Sequence, residues 1–211
     1  MRSSVWPKTR AHWGWITDVA GYARYTALLD ACVFHQIAVA DALMSLAAAG
    51  LYAAKWTRKI EAEWISSIEA RRPDLKEQLD NRRDHMREAV PDWEIEEGAW
   101  QSLIGGLQLP DPGDVHVLAA ALAGHADGIV TANVRDFPIE VVGALGVEII
   151  HPDQFIVAQW DLDQLVAVAA FKHMRARWKK PDTTAEDFAA AMERAGLPAT
   201  AQRPREAAEL I

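Results

Sequence analysis

The sequence predicts a three-layer α/β/α domain with a central parallel sheet, extended at its C-terminus by helices. Three observations carry this expectation. Short apolar runs alternate with segments of helical periodicity from Thr26 to Ile150, the pattern of successive βα units. The runs themselves are nearly continuous in hydrophobicity, as strands covered on both faces require. Residues 153 to 211 hold no further strand signal. A chain of 211 residues, half of them hydrophobic, has material for one α/β core plus a small appendage. The expected division is an N-terminal arm over 1–24, a core domain over 25–152 and a helical extension over 153–211.

Residues 1–24 interleave Trp6, Trp13 and Trp15 with Arg2, Lys8, Arg10 and Arg24 and show no period. They read either as a loose arm or as a tail on which single-stranded bases stack. The run Thr26-Ala27-Leu28-Leu29-Asp30 suits a central strand ending at Asp30, and Asp41 to Ala49, stopped by Gly50, suits a helix. Leu51 to Trp56 is the second strand candidate. Thr57 to Ala70 is helical, with Ile60, Trp64 and Ile68 on one stripe. Glu61 and Glu69 read as solvated there, and Glu63 as turned toward a site. Pro73 opens another helix, whose cluster Arg82, Arg83, Asp84, His85 and Arg87 reads mostly as a wet face.

Beyond Pro91, the stretch from Trp93 to Ile104 is weakly patterned, with Glu94, Glu96 and Glu97 expected at the surface. Asp111-Pro112-Gly113 is turn chemistry, Asp114 stands where a first-turn acid belongs, and Val115 to Ala123 is an alanine-rich helix ended by Gly124. Ile129-Val130 reads as a buried strand that delivers Asn133 and Asp136 at its carboxyl end. A brief helix from Pro138 to Leu145 and a last strand from Val147 to Ile150 follow. Asp153 to Gln159 and Asp163 to Trp178 are expected helices. Thr184 and Asp187 form a capping box for another, ended by Gly196 and Pro198. Lys172, Arg175, Arg177, Lys179 and Lys180 make the most basic stretch, either a helix end with cations at its negative pole or a guide for a phosphate backbone.

The formal net charge of −8 excludes a protein that holds nucleic acid by bulk electrostatics alone. One cysteine, Cys32, excludes a disulfide framework and fits a reducing cytosol, and no stretch is apolar over the length of a membrane span. The expectation is a soluble cytoplasmic protein.

The residues that carry chemistry are Asp30, Glu63, Asp114 and Asp136, with Asn133 and Asp111 beside them. In parallel α/β sheets the ligand crevice lies beyond the carboxyl ends of the strands, where all but Glu63 are predicted. Carboxylates converging there suit a hard cation such as Mg²⁺ or Mn²⁺. Each also has a plain structural reading: Asp114 as a helix cap, Asp136 as a turn tie, Asp30 as an amide acceptor, Glu63 as a solvated residue. His116 reads as a packing or helix-surface residue before it reads as a ligand.

Taken in order, ALLDACVF, WTRKIEAEW, LPDPGDVHVLAAA and ADGIVTANVRDFP resemble the PIN-domain ribonucleases, in particular the toxins of VapBC-type toxin-antitoxin pairs. The resemblance covers about Thr26 to Asp153, and the helical tail is similar to that of a subgroup. It implies a PIN-like, flavodoxin-like catalytic domain that often dimerises, and a quartet that binds Mg²⁺ or Mn²⁺ and hydrolyses RNA. It also implies a cognate antitoxin partner. Asp30, Glu63 and Asp114 fall at the first three positions of the quartet, and Asn133 or Asp136 at the fourth, with Asp30, Asp114 and Asp136 as metal ligands. A catalytically inactive PIN-like scaffold that binds RNA or protein is the second reading. A phospho-accepting receiver or an aspartate-nucleophile phosphatase fits poorly, because no lysine occurs between Lys76 and Lys172.

Overall fold

The computed structural model describes residues 24–178 and 183–211. The N-terminal tryptophans and the lysines Lys179 and Lys180 lie outside them.

Among the described residues, four short strands form the sheet: β1 (Thr26–Leu29), β2 (Ala53–Lys55), β3 (Gly128–Val130) and β4 (Glu148–Ile150). Their order is β2-β1-β3-β4 and every pairing is parallel. Ala27, Leu28, Leu29, Ile129 and Val130 are fully buried. Successive side chains of a strand point to opposite faces, so burial of consecutive residues means that helices cover both sides of the sheet. From β1 the chain steps outward to β2 and later re-enters on the other side of β1 at β3. The point of reversal lies between β1 and β3, which is where a doubly wound sheet opens a crevice at its strand carboxyl ends.

The described α-helices that surround the sheet are α1 (Ile37–Ala48), α2 (Arg58–Arg71), α3 (Lys76–Ala89), α4 (Glu97–Trp100), α5 (Val115–Ala123), α6 (Ile139–Val142), α7 (Pro152–Leu162), α8 (Gln164–Arg177), α9 (Ala185–Arg194) and α10 (Pro198–Glu206). None among the described residues is long and apolar enough to cross a membrane. The alternation from Thr26 to Ile150 and the helical tail are as expected, and the departures have local causes. The run after Asp30 leaves the sheet at once, in a 3₁₀ turn over Ala31–Phe34 that Asp30 caps through Ala31 N–H. Helix α1 starts four residues before Asp41, because that aspartate is not a cap. It is buried in the helix interior and accepts from Arg177 (2.6 Å) and Trp178 Nε1 (2.9 Å). Gly196 and Pro198 do follow the end of α9 at Arg194, and Pro198 has a second role. It is the first residue of α10, where a missing N–H costs nothing.

Three charged residues depart from the wet surface expected of them. Glu61 is 3% exposed, and accepts from Trp56 Nε1 (2.9 Å) and from Arg87 through both Nε (3.0 Å) and Nη2. It is a buried clasp between α2 and α3, not a solvated residue. The α3 cluster is correspondingly not all wet, since Arg87 also lies over the Trp93 ring and Arg82 over the Trp64 ring. Trp56 bridges to Glu94, which adds one backbone pairing outside the sheet.

The helical extension shares the core of the sheet domain. Phe155 packs edge-on against Tyr52 at 4.8 Å and lies 5.9 Å from Tyr25, while Phe171, Phe188 and Met192 continue the same buried cluster. Asp153 anchors the far end by accepting from Ala199 N–H (2.9 Å) and Thr200 N–H (2.7 Å) at the start of α10. Thr184 caps α9 by accepting from Asp187 N–H, as its capping sequence requires.

Candidate active site

The site is assembled where β1 and β3 end. Asp30 directly follows β1 and is 5% exposed. Its Oδ1 accepts from Ala31 N–H at 2.6 Å, and its Oδ2 accepts from Thr131 Oγ at 2.7 Å and Cys32 Sγ at 3.0 Å. The amide reading of Asp30 is therefore correct for one oxygen only. Thr131, fully buried just past β3, also accepts from Asn133 N–H at 3.0 Å, and Ala132 N–H donates to Cys32 Sγ at 3.2 Å. Thr131 and Cys32 lock the two strand ends together around the carboxylate, and sequence reasoning did not single out either. The signal was available, since both sit within two residues of a predicted strand end. Burial, with the Asp30 charge beside it, pushes the Cys32 thiol up to about 12, so it serves as a neutral donor.

Asp114 ends a 3₁₀ turn and precedes α5, but its side chain caps nothing. The capping role falls to Asp111, whose Oδ1 accepts from Gly113 N–H at 2.7 Å. With no donor to it among the described residues, the Asp114 carboxyl is raised to about 6, first by burial and then by the charges of Asp30, Asp111 and Asp136; only His116 opposes them. Asp136 lies in the 3₁₀ turn Val134–Asp136, which closes through backbone Asp136 N–H to Asn133 C=O (3.0 Å), so its carboxylate is not consumed in tying the turn. Asn133 is exposed at the start of that turn and makes no side-chain cap. Of the two, Asp136 is the one whose charge reaches Asp114.

Glu63 stands one step removed. It is half-exposed, and His116 Nε2 lies 2.8 Å from its Oε1. His116 is buried against Trp100, a packing residue and not a surface one, and its Nδ1 has no partner among the described residues.

The structure thus gathers Asp30, Asp111, Asp114 and Asp136 within electrostatic reach and attaches Glu63 through His116. Among the described residues no lysine or arginine pairs with any of the four aspartates. Nor, among those residues, do three of the carboxylates approach closely enough to enclose a metal ion by themselves. The basic stretch of α8 is dispersed: Lys172 donates to Leu210 C=O at 3.0 Å, Arg177 (16% exposed) is tied to Asp41 and Ser45, and Arg175 is half-buried.

Residues 152–206 match the family model of the VapC50 C-terminal domain. The chain is also 43% identical over 49 residues to a "Putative ribonuclease VapC50" of Mycobacterium tuberculosis, a match that takes in 23% of this chain and 29% of the relative's length. No solved structure matches. The resemblance to VapC-type toxins read from the sequence is borne out by both findings.

Proposed function

We propose that this chain is a VapC-type endoribonuclease that uses Mg²⁺ or Mn²⁺ to hydrolyse RNA phosphodiester bonds, and that it acts as a toxin restrained by a cognate antitoxin. The observation that carries the reading is the uncompensated cluster of Asp30, Asp114 and Asp136 at the strand ends, with Asp114 raised to about 6 by burial and by its neighbours. A fold gains nothing from holding such charges together unless a cation joins them. The donor set fits a hard cation, being all oxygen. Because no three of these side chains stand close enough among the described residues to hold an ion by themselves, the reading requires waters and phosphate oxygens to complete its shell. Bound there, the cation would lower the pKa of a coordinated water and stabilise charge on the phosphodiester.

The chain's own residues prepare that step. Ala31 N–H, Thr131 and Cys32 fix the direction of the Asp30 carboxylate, so it loses no freedom when it takes up a ligand. Asp136 reaches the site from a turn closed by its own backbone, and His116 steers the Glu63 carboxylate by holding Oε1 and leaving Oε2 available.

The test is cleavage of total cellular RNA by purified protein with Mg²⁺ or Mn²⁺ and with chelator, beside Asp30→Asn and Asp114→Asn. Metal-dependent products that vanish in both variants are the expected result. A folded, antitoxin-free protein that neither cleaves nor binds metal would instead be an inactive scaffold.

A further inference from the structure

The loop that brings Asp136 to the site carries a cation at its crest. After the buried Thr131 the chain exposes Ala132, Asn133, Val134 and Arg135 in succession, and it returns to the core at Phe137. Both ends of the loop are fixed. Asn133 N–H donates to Thr131 Oγ (3.0 Å), the same hydroxyl that donates to Asp30 Oδ2 (2.7 Å). Beyond it, the 3₁₀ turn Val134–Asp136 closes through Asp136 N–H to Asn133 C=O (3.0 Å) and Phe137 N–H to Val134 C=O (3.4 Å). The backbone of Arg135 therefore holds a set position relative to Asp30 and Asp136.

Arg135 nevertheless neutralises no acid of the site. Among the described residues its guanidinium makes neither an ion pair nor a hydrogen bond, although Asp136 is its neighbour in the chain. Nor is its charge among those that act on Asp114, where His116 alone opposes three aspartates. The local geometry explains the separation. A 3₁₀ turn has about three residues per turn, so adjacent side chains diverge by about 120°, and Asp136 can face the site while Arg135 stands out beside it. Other arginines of this acidic chain are engaged, Arg58 by Glu94, Arg87 by Glu61, Arg203 by Asp161 and Arg205 by Glu186. A solvated arginine is ordinary on a surface. What sets Arg135 apart is its place, one residue from Asp136 on a loop tied to Asp30.

We propose that Arg135 is a substrate-binding residue whose guanidinium takes the RNA phosphate next to the one being cleaved. The inference rests on the nuclease reading, which supplies the RNA strand at the acidic cluster. There a phosphate beside the scissile one meets carboxylates that repel it, and Arg135 is the cation the same loop offers in return. A guanidinium suits the task, since its planar fork donates to two phosphate oxygens at once through charge-assisted bonds. Because the turn keeps it away from Asp136, that fork is free to do so.

The experiment is fluorescence anisotropy of a labelled phosphorothioate oligouridylate with the full chain and Mg²⁺, over a range of salt. It compares the parent with Arg135→Ala, Arg135→Lys and, as control, Arg194→Ala. Arg194 is likewise exposed and without a carboxylate partner among the described residues, but it stands on α9. Phosphate contacts carry no sequence information, so a single-sequence probe reports them. For Arg135→Ala the expected result is weaker binding, with a slope of log affinity against log salt shallower by about 0.7, the value for one phosphate contact on a single strand. Arg135→Lys should keep the parental slope at reduced affinity, because it keeps the charge and loses the fork. Arg194→Ala should match the parent. Parental affinity and slope in Arg135→Ala, an equal loss in Arg194→Ala, or no binding by the parent would each overturn the contact. Cleavage of total cellular RNA separates the two readings. Binding that depends on Arg135 in a parent chain that does not cleave would remove the nuclease and keep the contact; cleavage by a parent whose binding ignores Arg135 would do the reverse.

Discussion

Asp114 is the residue on which charge balance turns. Its folded value of about 6 stands above the usual 3.8, so in the metal-free protein its ionised form is disfavoured by folding. The stability it contributes is complete below 3.8 and is lost as pH rises through about 6. Asp114→Asn is therefore expected to raise the melting temperature of the metal-free chain well above pH 6 and to make no difference below 3.8, which thermal denaturation at the two extremes checks. Divalent metal should stabilise the parent and not the variant. Thr131 is the second case. Thr131→Val removes the donor to Asp30 Oδ2 and keeps the shape, so a buried carboxylate loses one of its charge-assisted bonds, a cost of about 1.5–3 kcal/mol. Thr131→Ser should restore both stability and cleavage. The carboxylates of the site were legible as residue types at strand ends; the hydroxyl and thiol that aim Asp30 were not, because nothing in a run such as VTAN distinguishes a threonine that pairs across strands from one that merely favours a strand.

At the level of elements, α2 shows how a helix face misleads. Glu61 and Glu63 both flank the apolar stripe of Ile60 and Trp64, and the sequence reading buried the second and exposed the first. Glu63 meets His116, but the deeper burial belongs to Glu61, because α3 supplies Arg87 and β2 leads into Trp56. Glu61→Ala should therefore cost about 3 kcal/mol in chemical denaturation, the scale for removing one partner of a buried ion pair. Glu63→Ala should leave stability nearly unchanged and abolish cleavage. The opposite ranking would show that Glu63 belongs to the scaffold. Helix periodicity reports which side of a helix is apolar; it does not report which partner a neighbouring element brings to the border of that side.

Across the whole molecule, the C-terminal helices and the sheet domain share one hydrophobic core and are joined by one buried acid, while a second ties the extension to itself. Asp41 on α1 holds Arg177 and Trp178 of the tail, and Asp153 holds the start of α10. A chain ending at His151 would expose Tyr52 and its neighbours where Phe155 now packs, and it is expected to be insoluble on expression, whereas Asp153→Ala should remain soluble with the end of its tail open to limited proteolysis. The sequence by itself determined the alternation of strands and helices, the parallel sheet, the helical tail and the aspartates that arrive at strand ends. These follow from periodicity and from the few residue types that start and stop an element, which act over a handful of neighbours. Only the tertiary structure decided which acid is buried as a clasp and which basic residues are engaged in internal ion pairs. Those outcomes depend on pairings between separate elements, from Glu61 with Arg87 to Asp30 with Thr131 and Asp41 with Arg177, the last two across more than a hundred residues, and such pairings leave no periodic trace in the chain.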